Sequence, residues 1–245
     1  MSGHSKWATI KRAKGATDAK RGAMFTRLTR EIISAAREGG GSPDSNIRLR
    51  MAIDKAKQGN MPKDNIERAI ARATGQGVDA STFEEKTYEV YLPHKVPAMI
   101  QVLTDNSNRT VADVRKLITR SGGQFEGAAV AWQFDRKGVI VIEKTPKVNS
   151  DEVFEIALEA GADDIQDGDE AIEITTAPDS FRAVRDALHH KKYEMASAEI
   201  AMLPNSTVTL DGEKAEQVQN VIDQLEEMDD VQQVHHALDM AEAVA

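Results

Sequence analysis

The chain has no cysteine among its 245 residues. That excludes disulfides, thiol nucleophiles and cysteine-based zinc sites, and it fits a reducing cytoplasm. Aromatic residues are scarce, at 4%, so any core must rest on Ile, Val, Leu, Ala and Met. No apolar run approaches the roughly 20 residues that a membrane-spanning helix needs. The first residues are charged with no apolar stretch behind them, unlike a secretory signal. Glycine-rich phosphate loops, His-Glu-x-x-His and Gly-x-Ser-x-Gly are all missing. The acidic run Asp163–Glu173 does not match a calcium loop, because Ile165 would take a ligand position. These absences point to a cytoplasmic protein that is not an enzyme, with no cofactor, no metal, no membrane partner and no small-molecule substrate.

What the chain has is charge, unevenly placed. The formal net charge is −9, yet residues 1–77 carry 16 Lys and Arg against 7 Asp and Glu. The rest carries 15 against 33. The basic excess is densest in GHSKWATIKRAKGATDAKRG, Gly3–Gly22, where Lys6, Lys11, Arg12, Lys14, Lys20 and Arg21 face a single acid, Asp18. A basic segment in an acidic protein points to a phosphate polymer as partner, duplex DNA or ribosomal RNA. These six cations, with Arg27, Arg30 and Arg37 on the helix that follows, are the candidate phosphate contacts. Trp7 is a candidate for stacking on a base or wedging into a groove, or else an apolar plug against the helices. The acidic remainder repels the same polymer and suits a protein partner.

The hydrophobic period divides the chain. FTRLTREIISAAREGGG, SPDSNIRLRMAIDKAKQGN and MPKDNIERAIARATG each put apolar residues on one helical face and end at glycine. They predict a three-helix bundle over 1–77, with Asp44 or Ser45 capping the second helix. Beyond the polar stretch 75–82 the period falls to two. KTYEVYL, AMIQVLT and AVAWQF read as strands, with a helix at NRTVADVRKLITRSGG. From GVIVIEK to EMASAEIAML the order is β-α-β-β-α-β, a ferredoxin-like unit. The tail adds a strand, a helix and a strand. The expected fold is therefore α+β: a three-helix bundle, then two ferredoxin-like α+β domains, a discontinuous one of 82–135 plus 204–245 and one at 138–203 inserted in it. At the start of the helix after DNSNRT, Asn106 and Arg109 form a candidate anion site, or an ordinary capped helix start.

GHSKW followed by DAKRGAMFTRLTREI resembles the start of the YebC/PmpR family. The resemblance continues through NMPKDNIERAIARATG, TDNSNRTVADVRK, VAWQF and ALEAGADD, over nearly the whole chain. It implies a helical bundle and two α+β domains, no cofactor and no catalytic reaction. It also implies a regulator: DNA-binding transcriptional control in some members, and in others a ribosome-associated role that relieves stalling. A protein-interaction scaffold without nucleic acid is the third class left open. Two stretches depart from the family pattern. This chain has YEVYLPHK at Tyr88–Lys95 where members often read YEGYGPGG, and Ser107 where a basic residue is usual.

Overall fold

The computed structural model describes Trp7, Ile10 and residues 18–75, 83–125 and 127–240, with the backbone alone given for 18–21. Three helices come first: α1 (Asp18–Gly39), α2 (Ile47–Gln58) and α3 (Lys63–Thr74). Leu28, Ile32, Ile33, Leu49, Ala52, Ile53, Ile66 and Ala69 meet in their common core. Gly40, at φ 87°, ends α1 in the left-handed region that suits glycine. The cap of α2 is Asn46, not Asp44 or Ser45. Its side chain accepts from the Leu49 N–H at 3.0 Å and donates to the Ala35 and Gly40 carbonyls at 2.7 and 2.8 Å. A buried Asn that satisfies both helices out-competes its exposed neighbours, since unpaired buried backbone groups are costly.

The next segment gives the hairpin β1 (Glu84–Leu92) and β2 (Val96–Thr104), then α4 (Ser107–Arg120). After a second sheet has been completed, the chain returns with β7 (Val208–Leu210), α7 (Gly212–Glu226), β8 (Val231–His236) and β9 (Leu238–Met240). The three-stranded sheet runs β1-β2-β8, so its third strand comes from the tail. α4 and α7 cover one face over Val90, Ile100, Val102, Val114, Ile118, Val218 and Ile222. Met99, Val130 and Phe134 cluster separately, with Met202 packed against them. β2 is accordingly buried almost throughout, the mark of a strand covered on both faces. β7 does not join this sheet; it pairs in parallel with β9.

The second sheet contains β3 (Phe134–Glu143), β4 (Ala162–Asp167), β5 (Ala171–Thr176) and β6 (Ser197–Pro204), with α5 (Ser150–Glu159) and α6 (Phe181–His190) as connections. The order β4-β5-β3-β6, antiparallel throughout, is that of a ferredoxin-like unit. Side chains alternate across a strand. Ile140, Ile142, Ile172 and Ile174 face the two helices, and Val139, Val141, Ala171 and Ala201 face the other way. AVAWQF is not a strand. Ala131–Gln133 is a 3-10 turn, pinned by the Glu89 carboxylate, which accepts from the Val130 and Ala131 N–H groups at 2.6 and 2.8 Å. β3 begins only at Phe134.

Candidate nucleic-acid interface

The bundle's cations fall into two groups that sequence alone does not separate. One group faces the rest of the protein. Arg30 donates to Asp230, just ahead of β8, and lies 5.9 Å from the Phe83 ring centroid. Arg48 donates to Glu31 at 3.0 Å and Glu38 at 2.5 Å within the bundle, and to Glu85 on β1. Lys55 reaches Glu199 on β6 at 3.6 Å. Arg27 is partly buried. Burial lowers its pKa, and the Glu226 carboxylate partly offsets this. Arg30, Arg48 and Lys55 thus link the bundle to carboxylates of the two sheet segments. Arg30 in particular is a bridge rather than a free phosphate contact.

The other group points to solvent from α2 and α3. Arg50 is exposed and donates to the Pro43 and Asp44 carbonyls at 3.0 and 2.8 Å. Lys57, Lys63, Arg68 and Arg72 are exposed as well. Arg68 and Arg72 are four residues apart, so they share a helix face. Arg68 spends its donors on Asn65 and on the Asp64 carbonyl. Lys63 has Glu67 at 3.4 Å, an exposed pair of small worth. On α2, Ile47 and Met51 stand 69% and 52% exposed beside Arg50. The apolar stripes of α2 and α3 predict Arg48, Lys55, Arg68 and Arg72 on the outer faces. Arg68 and Arg72 are there, Arg48 and Lys55 meet carboxylates instead, and Arg50, Lys57 and Lys63 join the outward group unpredicted.

Of the cations expected from the arm, Lys6, Lys11, Arg12 and Lys14 lie outside the described residues. Lys20 and Arg21 belong to α1 by their backbone, and their side chains lie outside the description. Arg37 is half-buried in the last turn of α1, where a cation complements the helix dipole. Trp7 is neither a free stacking ring nor a plug against the bundle. It is 7% exposed and packs on the second sheet with Val139, Val141, Ala171 and Ala201. Its indole N–H donates to Glu170 and its backbone N–H to Glu173, each at 2.8 Å. Trp132 is the exposed tryptophan, at 76%. Its ring N–H is tied to the Ala129 carbonyl at 3.0 Å.

The Asn106–Arg109 cradle already holds an anion, and that anion is Asp230. Asn106 caps α4 by accepting from the Arg109 N–H at 3.1 Å. The Arg109 guanidinium donates to Asp105 at 2.9 Å and to both Asp230 oxygens at 3.2 and 3.0 Å. Thr110 donates its hydroxyl to Asp230 at 2.6 Å. Burial would raise the Asp230 pKa. Hydrogen bonds from Thr110, Arg109 and Arg30 outweigh it and hold the carboxyl below its ordinary range. The same bonds raise Arg109, Asp230 contributing most. The site works as an internal clamp between α1, α4 and β8. A cleft of about 340 Å³ borders it, lined by Arg30, Asp105, Asp113 and Asp229 among others. That lining is too acidic to receive a further anion. Among the described residues no cluster of His, Asp and Glu could hold a metal, and no helix is long and apolar enough to cross a membrane.

Known proteins supply a context for this arrangement. A protein of Geotalea uraniireducens, named "Probable transcriptional regulatory protein", is 51% identical over 243 residues, spanning 99% of this chain and 97% of its own. One of the same name from Dictyoglomus turgidum is 47% identical over 245 residues, 100% of this chain and 98% of its own. The crystal structure of a conserved hypothetical protein, Aq1575 of Aquifex aeolicus, matches at a TM-score of 0.80 with 41% identity, covering 93% of each chain. The family profile for the TACO1/YebC protein N-terminal domain matches residues 5–76, and that for the TACO1/YebC second and third domain matches 83–238. With both profiles matched in order, and relatives near half identity along the full length, the chain belongs to the TACO1/YebC family.

Proposed function

We propose that this protein is a non-enzymatic regulator of transcription that binds duplex DNA through its bundle and basic arm, the acidic sheets setting selectivity or contacting protein. The observation that carries the reading is the outward cation group on α2 and α3, left over after the inward group has been spent on bridges. Arg50, Lys57, Lys63, Arg68 and Arg72 lie on an exposed surface, in the segment with excess positive charge, while the remainder has an acidic excess. Electrostatic attraction of this kind supplies affinity for phosphates and little sequence choice. The names of the relatives point the same way.

The test is the salt dependence of binding to duplex DNA. About 6 phosphate contacts give a slope of log K against log[salt] near −5. Replacing Arg68→Gln and Arg72→Gln together should flatten that slope by about 2 and leave the melting temperature within about 1 °C, since neither side chain makes an ion pair among the described residues. A salt-independent wild type would sink the reading. Binding to ribosomal RNA in preference to DNA, with cosedimentation of the protein with ribosomes at moderate salt, would reassign the same surface to translation.

A further inference from the structure

The face of the second sheet opposite α5 and α6 has an apolar floor, and Trp7 covers it. Val139 and Val141 of β3, Ala171 of β5 and Ala201 of β6 are all buried there, with Ile10 and Leu203 at the margin. The two alanines leave room that larger residues would fill, and the indole occupies it. Glu170 and Glu173 form a polar rim that accepts both Trp7 N–H groups at 2.8 Å. Burying an indole on an apolar floor while meeting its N–H is what a tryptophan site requires. The ligand in it comes from near the start of the most basic stretch of the chain.

We propose that this face is a binding site for a tryptophan set in basic sequence, that its resident ligand is the protein's own arm, and that nucleic acid competes for that arm. The inference rests on the reading of the arm as a phosphate-binding segment. The rim carboxylates that hold Trp7 repel a polyanion. A strand of DNA that engages the arm along its length must therefore draw Trp7 away from Glu170 and Glu173. Docking withholds the arm, and the apparent affinity for DNA falls by the fraction of molecules in which the arm is free. The acidic sheet thus selects against loose, non-specific contacts and yields the arm only to a ligand that binds it more strongly. When the arm leaves, the floor of Val139, Val141, Ala171 and Ala201 is uncovered, which changes the surface offered to a protein partner.

The experiment uses the full chain, a random-sequence duplex of about 20 base pairs and one fixed low salt concentration, a length sufficient for the about 6 contacts expected. Glu170→Gln with Glu173→Gln removes the rim charges without altering shape. Glu155→Gln with Glu159→Gln, on the exposed side of α5, removes the same charge elsewhere. The rim variant should bind the duplex about tenfold more tightly, the scale expected when charge-assisted hydrogen bonds become neutral ones. The α5 variant should stay within about twofold of wild type, since it changes only distant, screened charge. In a Trp132→Phe background Trp7 is the sole tryptophan. Its fluorescence in the free protein should be shielded from acrylamide, and the rim substitutions should expose it. Equal affinities for the rim and α5 variants, or weaker binding by the rim variant, would overturn the competition. If no form binds DNA or RNA at low salt, the phosphate-binding reading fails and takes the competition with it. The quenching result then still reports whether Trp7 occupies its seat, which separates the two failures.

Discussion

Asp230→Asn is the substitution that best tests how the bundle is held. The side chain keeps its size and loses its charge. Arg30 and Asp230 keep only 17% and 10% of their side-chain surface exposed, so their attraction is weakly screened and its loss leaves a largely buried guanidinium without its counter-ion. Charge-assisted hydrogen bonds are worth about 1.5–3 kcal/mol each. Arg109 remains 47% exposed and adds less than about 1 kcal/mol after solvent screening. Asn also puts an amide N–H₂ among the Thr110 and arginine donors. The expected loss is about 2–3 kcal/mol, or about 5–10 °C in melting temperature for a chain of this size. Scanning calorimetry reads it, and hydrogen exchange in α1 locates it, since Arg30 joins α1 to the clamp. The pH dependence has a defined sign. The folded Asp230 carboxyl is lowered relative to the unfolded one, so its contribution is complete above the unfolded pKa of about 3.9. It vanishes as pH falls through the folded value. The gap between wild type and variant should stay constant from pH 7 to about pH 5 and close below about pH 4. Equal melting temperatures at pH 7 would refute the clamp. A gap that persists unchanged in strong acid would trace the loss to packing instead of charge.

Two further substitutions probe the sheets. His94 and Lys95, in the β1–β2 turn, have φ of 58° and 62°, where a Cβ is strained by about 1–2 kcal/mol. Lys95→Gly should therefore raise stability in urea by up to about 1 kcal/mol, the strain relief exceeding the added freedom of the unfolded chain. A loss of stability would mean that Lys95 makes a contact that outweighs the strain. Gly138 of β3 has no such dihedral, but a Cβ there would lie 2.3 Å from Thr176 Oγ1 and 2.7 Å from a Phe181 ring carbon. Gly138→Ala should cost about 1–3 kcal/mol by overpacking, and a neutral result in the same titration would show that α6 shifts freely.

Elements defined by their own periodicity were legible from sequence: the stripes of α1 to α3, the β1–β2 hairpin and the β-α-β-β-α-β order of the second sheet. What sequence reading missed depends on distant partners. The turn at Ala131–Gln133 exists because Glu89, on β1, takes two of its backbone N–H groups. Without that carboxylate AVAWQF has the alternation of a strand. VQQVHHAL reads as one strand, yet it divides into β8 and β9, and β9 pairs with β7 after the chain has turned. The left-handed pair His94–Lys95 falls where the family pattern has two glycines, so resemblance marked the place and geometry supplies the reason. At the candidate site, charge singles out the segment and says nothing of the surroundings of each side chain. No periodicity in α1 tells whether Arg30 meets water or Asp230, which lies 200 residues away.

On the proposed reading, the charge division between the basic and acidic segments serves two purposes, and they compete for the same residues. A basic segment and an acidic one in a single chain attract each other before either meets a partner. Arg30 with Asp230, Arg48 with Glu85 and Lys55 with Glu199 are the pairs this attraction has formed. Each gives a cation a carboxylate partner that a phosphate polymer would have to compete with. Geometry limits how far this proceeds. α3 buries Ile66 and Ala69 in the bundle core and turns its opposite face to solvent, so Arg68 and Arg72 stay outside while Lys55 of α2 meets Glu199. The arm reaches the acidic sheet through Trp7, whose indole N–H donates to Glu170. On the proposed reading, the outward face of α2 and α3 is open to a polyanion and the arm only on exchange. Affinity should then come in two steps: a salt-sensitive encounter at the helices, then a slower gain as the arm changes partner.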